Sequence, residues 1–274
     1  MGIRESVRKD FTLNVWWCAM KKILTCIYFL VAVSVSGCSP SASQAEPIRV
    51  LFIGNSYTFS NDMPKIFAKM AESAGQEVIV ASQAKSGYSL ADHSVDQSIQ
   101  VIIASQQWDY IVLQERSDIP VSQEVREGEM YPQIRQFNEL ARKNGAQIIL
   151  FMPWAYQDGF PERGFPDYSS MQGEVALGYS HIAGELELPI APVGIAWQNA
   201  LQVDPTLELW GADRRHPSLL GSYLAASVFY AIILEESPAK LTISVAGVTG
   251  EDASLLREVS AETVFANPPR GKIP

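Results

Sequence analysis

The stretch VLFIGNSYTF, Val50–Phe59, is a solid apolar run that stops at Gly54 and delivers a serine, Ser56, just beyond it. A short uninterrupted run bounded by a turn signal reads as a strand buried on both faces. In open α/β sheets, ligands sit outside the carboxyl ends of the strands, so a serine here is either a nucleophile or an ordinary turn residue. Which of these it is depends on what the rest of the chain can bring to it.

Outward from this strand, short apolar runs alternate with longer amphipathic ones, the pattern of βα units and a parallel sheet. The further strands expected are EVIVAS, YIVLQE, QIILFMP and PIAPV. Helices are expected over 64–73, with Asp62 as cap and Gly75 past the end, and over 90–106, 123–143, 170–186 and 218–234. On the last helix Leu220, Tyr223, Leu224 and Phe229 form the buried side. Right-handed crossovers place such helices on both sheet faces, giving a three-layer α/β/α sandwich around a mostly parallel five-stranded sheet. Ser56, Gly87, Gln114 and the loop after Pro153 all follow strand ends.

The first forty of the 274 residues do not belong to that core. Met20 is followed by Lys21 and Lys22 and then by an uncharged apolar run, Ile23 to Val35, which is a signal-peptide pattern too short for a bilayer-spanning helix. Residues 1–19 read as an upstream extension. The segment Val35-Ser36-Gly37-Cys38 resembles the lipobox of bacterial lipoproteins, which implies lipidation at Cys38, export, and a membrane anchor on the periplasmic or cell-surface side. The organisation expected is therefore leader 1–37, flexible tether 38–47, and a single domain over 48–274.

All three cysteines, Cys18, Cys26 and Cys38, lie in this leader, so the mature domain has no disulfide, thiolate metal site or cysteine nucleophile. Residues 1–37 carry five basic and two acidic side chains, so their removal takes the net charge from −9 to −12. Such a surface repels phosphate backbones and argues against nucleic acid as a partner.

A serine hydroxyl needs a positioned base, and the chain offers three histidines. His93 and His181 fall within expected helices, where surface or core packing accounts for them. His216, in WGADRRHPSLLGSYLA, lies in the loop before the last long helix, with Asp213 three residues earlier to orient the imidazole.

FIGNS after the first strand and DRRHPS before the last helix together resemble the SGNH (GDSL-like) hydrolase family, whose fold is flavodoxin-like. The resemblance implies Ser56 as nucleophile, His216 as base and Asp213 as orienter. It also implies an oxyanion hole made by the N–H groups of Ser56 and Gly87. At the end of the third strand the family has an asparagine whose amide faces the oxyanion; Gln114 in YIVLQERSD is the nearest equivalent here. Asn55 replaces the family's aspartate beside the serine.

Other motifs lose to this one. SQAK, Ser82–Lys85, matches S-x-x-K but closes a strand and lacks its partner motifs. G-x-S-x-G, phosphate-binding glycine loops and H-E-x-x-H are absent, so no cofactor or metal is expected. The segment MPWAYQDGFPERGFPDYSS is too long for a minimal connection and reads as a lid, with Trp154, Tyr156, Phe160, Phe165 and Tyr168 as a stacking wall or as loop packing. Asn55, Trp154 and Tyr156 are the expected substrate contacts. The sum is an exported monomeric serine esterase acting on small-molecule or glycan esters, favouring carbohydrate O-acetyl groups. A glycan-binding protein on the same fold and an acyltransferase with the same triad are the alternatives.

Overall fold

A computed structural model describes residues 46–266, so the leader, Cys38 and most of the tether lie outside the described residues. The strands are β1 (Ile48–Gly54), β2 (Val78–Ala84), β3 (Tyr110–Leu113), β4 (Gln147–Phe151) and β5 (Ile190–Ala191). They form one parallel sheet in the order β2-β1-β3-β4-β5. The chain goes outward from β1 to β2 and then returns past β1 to β3. This reversal opens a crevice at the carboxyl ends of β1 and β3, where Ser56 lies.

The helices, in chain order, are α1 (Ser56–Phe59), α2 (Met63–Ser73), α3 (Leu90–Ser94), α4 (Gln97–Ser105), α5 (Tyr131–Lys143), α6 (Tyr168–Leu186), α7 (Val193–Val203), α8 (Leu219–Leu234) and α9 (Gly250–Phe265). Successive residues of β1 point to opposite faces, and Val50, Leu51, Phe52 and Ile53 are all fully buried. Val50 and Phe52 pack with α2, α7, α8 and α9, whereas Leu51 and Ile53 pack with α3 to α6. The three-layer α/β/α sandwich expected from the sequence is the architecture observed.

Several expected elements differ in detail. The single helix over 90–106 is two, because Asp96 interrupts it and caps α4 by accepting from Ser98 N–H at 2.9 Å. The helix over 123–143 contains a wider π turn, Arg126–Met130, before α5. Asp62 occupies the cap position of α2 but caps nothing: it sits in the left-handed region and its carboxylate meets Lys65 instead, at 3.0 Å.

PIAPV yields only a two-residue strand and then enters α7, which the sequence reading missed. It also missed α9. That helix covers α8, which is buried on nearly every side rather than on one. Among the described residues no helix is long and apolar enough to cross a membrane.

Candidate active site

Ser56 is the first residue of α1, a single turn that begins where β1 ends. Asn55 caps that turn, its Oδ1 accepting from Tyr57 N–H at 3.1 Å, and its amide donates to the Tyr88 carbonyl at 3.1 Å. Asn55 thus ties the serine turn to the loop after β2, where Gly87 sits. Gly87 has φ +74, a conformation that favours glycine. Neither the Ser56 N–H nor the Gly87 N–H donates to an acceptor among the described residues.

Ser56 Oγ lies 2.8 Å from His216 Nε2, although 160 residues separate them. On the other edge of the ring, Nδ1–H donates to Asp213 Oδ2. With Nδ1 carrying the proton, Nε2 is left to accept from the serine hydroxyl. Asp213 also accepts the backbone N–H of His216 at 2.9 Å and of Arg215 at 3.1 Å. Partial burial pushes its carboxyl up, but these hydrogen bonds together outweigh that and bring it to about 2, so it is a carboxylate at neutral pH. Ser56, His216 and Asp213, picked out from two distant motifs, therefore form one hydrogen-bonded chain.

The loop carrying His216 is closed at its base by a bridge between Trp210 and Pro217, with Gly211 N–H donating to the His216 carbonyl at 2.8 Å. The segment expected as a lid holds it from outside. Trp154 Nε1 donates to the Arg215 carbonyl at 2.9 Å, Gln157 N–H to the Arg214 carbonyl at 2.9 Å, and Asp158 forms a two-point ion pair with Arg214. Arg214 has φ 61, a strained conformation for a side-chain-bearing residue that these contacts over-determine.

Trp154 itself is fully buried, stacked on Tyr57 at 4.7 Å and on Trp197 at 4.2 Å. It is a brace beneath the site and cannot touch substrate. Phe160 and Phe165 bridge to each other within the segment, and Tyr168 packs against Trp210, so these aromatics form loop packing rather than a wall. Tyr156 does line the cleft.

Gln114 also departs from expectation. Its side chain is fully buried, with Oε1 accepting Asn55 N–H and the Thr58 hydroxyl, each at 2.9 Å, while Nε2 donates to the Glu115 carbonyl at 2.6 Å. The amide is engaged from both ends beneath the serine turn and does not face the cleft. Gly54 makes room for it, since a Cβ at 54 would stand 2.6 Å from Gln114 Oε1.

One contact had no signal in the sequence. Asn61, at φ 55, donates its amide toward the Pro217 and Ser218 carbonyls and Ser222 Oγ at 2.9–3.2 Å, joining the serine side of the site to the histidine side. His93, by contrast, is buried in the core and donates from Nε2 to the Gly54 carbonyl at 2.7 Å, and His181 stacks on Tyr131.

The cleft over Ser56 has a volume of 160 Å³ and is lined by Asn55, Tyr57, Gly87, Arg116, Ser117, Tyr156, Arg215 and His216. That is room for a short acyl group rather than a long chain. Larger depressions among the described residues, two of 590 Å³ and one of 440 Å³, lie elsewhere and contain no histidine to activate a hydroxyl.

No family model and no curated protein sequence matches the chain. Among solved structures it resembles a DUF4886 family protein from Bacteroides uniformis, with a TM-score of 0.71 and 18% identity over 81% of this chain and 96% of that one. A protein described as an SGNH hydrolase, from Slackia heliotrinireducens, matches with a TM-score of 0.59 and 26% identity over 68% of this chain and 99% of that one. Axe2, an acetylxylan esterase from Geobacillus stearothermophilus, matches with a TM-score of 0.51 and 20% identity over 66% and 92%. The chain therefore shares its fold with SGNH and GDSL-like esterases.

Proposed function

We propose that this protein is a serine esterase that removes short acyl groups, acetyl above all, from carbohydrate esters. The observation that carries the reading is the chain of hydrogen bonds from Ser56 Oγ through His216 to Asp213, at the mouth of a cleft of acyl-group size. Ser56 Oγ adds to the ester carbonyl carbon while its proton passes to His216 Nε2. The resulting oxyanion lies against the N–H groups of Ser56 and Gly87. Collapse breaks the ester C–O bond, and His216 gives the proton to the departing alcohol oxygen. Water, deprotonated by His216, then cleaves the acyl-enzyme and restores Ser56.

With Gln114 beneath the turn, the two backbone N–H groups are the donors this mechanism uses. The test is release of acetate from acetylated oligosaccharides and from p-nitrophenyl acetate. Ser56→Ala should lower kcat by about 10⁴-fold or more, with an unchanged fold by circular dichroism. Equal turnover by wild type and Ser56→Ala would remove the proposed nucleophile. Acetyl transfer to an added sugar acceptor in preference to water would point to the acyltransferase.

The leader motif adds a proposal about place: export and attachment to a membrane through lipid on Cys38. Cys38→Ala should then move the protein from the membrane fraction to the soluble one.

A further inference from the structure

We propose that the esterase substrate carries an anionic group on its alcohol part, as in an O-acyl ester of an acidic sugar, and that Arg215 binds that group. This rests on the esterase reading above and names the substrate class for the same site.

The chain is acidic, with a formal net charge of −9, and its field repels anions at long range. Yet the side chains lining the cleft over Ser56 include two arginines, Arg116 and Arg215, and no carboxylate. Their situations differ. Arg116 is neutralised by Asp118, at 2.6 Å from Nε, and its NH1 points toward the Gly87 carbonyl at 3.4 Å.

Arg215 has no such partner: among the described residues its guanidinium meets no carboxylate, and it lies over the Tyr156 ring at 4.6 Å. The aromatic face holds the guanidinium at the cleft without using its N–H donors in an ion pair, and a guanidinium fork is the group suited to two-point recognition of a carboxylate. Its neighbour Arg214, which points away to Asp158, shows that this loop neutralises an arginine where the chain supplies an acid.

Direction follows from the mechanism. His216 protonates the departing alcohol, so the alcohol part lies on the histidine side of the cleft. Arg215 precedes His216 and lines the same cleft, whereas Arg116 reaches the Gly87 side, where the oxyanion forms. The 160 Å³ depression has room for the acyl group, and the sugar rests against Tyr156 and Arg215 at the rim.

The experiment compares kcat/KM for three substrates: an O-acetylated glucuronic acid, the same compound with its carboxylate masked as a methyl amide, and p-nitrophenyl acetate. Wild type should prefer the free acid over the masked one by about tenfold at low salt, a preference that shrinks as salt is added. Arg215→Gln should bring the ratio close to one, and Arg215→Lys should restore part of it. Cleavage of all three with a ratio of one or less in wild type overturns this inference and leaves the esterase reading standing. No turnover of any, together with no labelling of Ser56 by a fluorophosphonate, overturns the esterase reading and this inference with it.

Discussion

At the scale of single residues, Gln114 shows how one methylene changes a role. A side chain in this position of an SGNH-type fold is expected at the oxyanion, but the longer glutamine folds back beneath Asn55 and Thr58 and holds the turn that presents Ser56. Gln114→Ala should therefore act on stability and catalysis together. It leaves the Asn55 N–H and the Thr58 hydroxyl without a buried partner, at a cost of about 1–3 kcal/mol, and it loosens the serine turn. Urea melts and ester kinetics on the same preparation decide the matter: a fall in kcat with an unchanged melt would restore Gln114 to the oxyanion hole. Gly54→Ala should produce a related defect from the other side, because its methyl would occupy the place of the Gln114 carboxamide.

At the scale of elements, the site depends on loops being held rather than on loops moving. The segment after β4 binds the Arg214 and Arg215 carbonyls and positions His216 from behind, and Asn61 links the serine turn to the start of α8. Asn61→Ala and Asn61→Gly separate two contributions of that residue. Both remove the amide, but glycine keeps the left-handed backbone at no steric cost. If the amide aligns Ser56 with His216, both variants should lose about 10- to 100-fold in kcat with little change in KM. Recovery in Asn61→Gly alone would assign the effect to the backbone.

These elements also show what the sequence could reveal. The strand ends carrying Ser56 and Gly87 were legible because apolar runs stop sharply before them, and His216 because it stands with Asp213 in the loop that opens the last long apolar helix. The role of the 154–168 segment was not, because aromatic residues read the same whether they face a ligand or brace a loop. The helix α9 was hidden for a related reason. Its buried stripe mixes Leu256 and Val259 with Ser260 and Thr263, whose hydroxyls donate to carbonyls of their own helix at 2.7 Å, and with Arg257, which donates from NH1 to the Tyr223 hydroxyl at 2.8 Å while its Nε has no partner among the described residues.

At the scale of the whole molecule, Glu115 couples the core to pH. It follows Gln114 at the end of β3, fully buried, with side-chain oxygens accepting the N–H of Arg116 at 2.7 Å and of Leu90 at 3.2 Å. Burial raises its carboxyl from 4.5 to about 8, although those hydrogen bonds and the Arg116 charge pull the other way. Between these values the folded protein keeps a proton that the unfolded chain has released. Stability from this group is therefore fully present below about pH 4.5, falls by about 1.4 kcal/mol per pH unit as pH rises, and is lost above about pH 8.

His93 works in the opposite sense: burial lowers its pKa, so it costs stability as pH falls below the histidine range. The two overlap in the acid half of the window, and a single pH profile would mix them. Glu115→Gln removes one and leaves the other. Urea midpoints measured from pH 5 to pH 9 should give a wild-type minus variant difference that declines steadily to about pH 8 and then levels off. The absolute stability of the variant does not enter, since only the slope of the difference is read. Parallel curves across that range would mean that Glu115 is ionised in the fold, and that its hydrogen bonds to Leu90 and Arg116, which anchor the entry to α3 beside the Gly87 loop, are those of a carboxylate rather than a carboxylic acid.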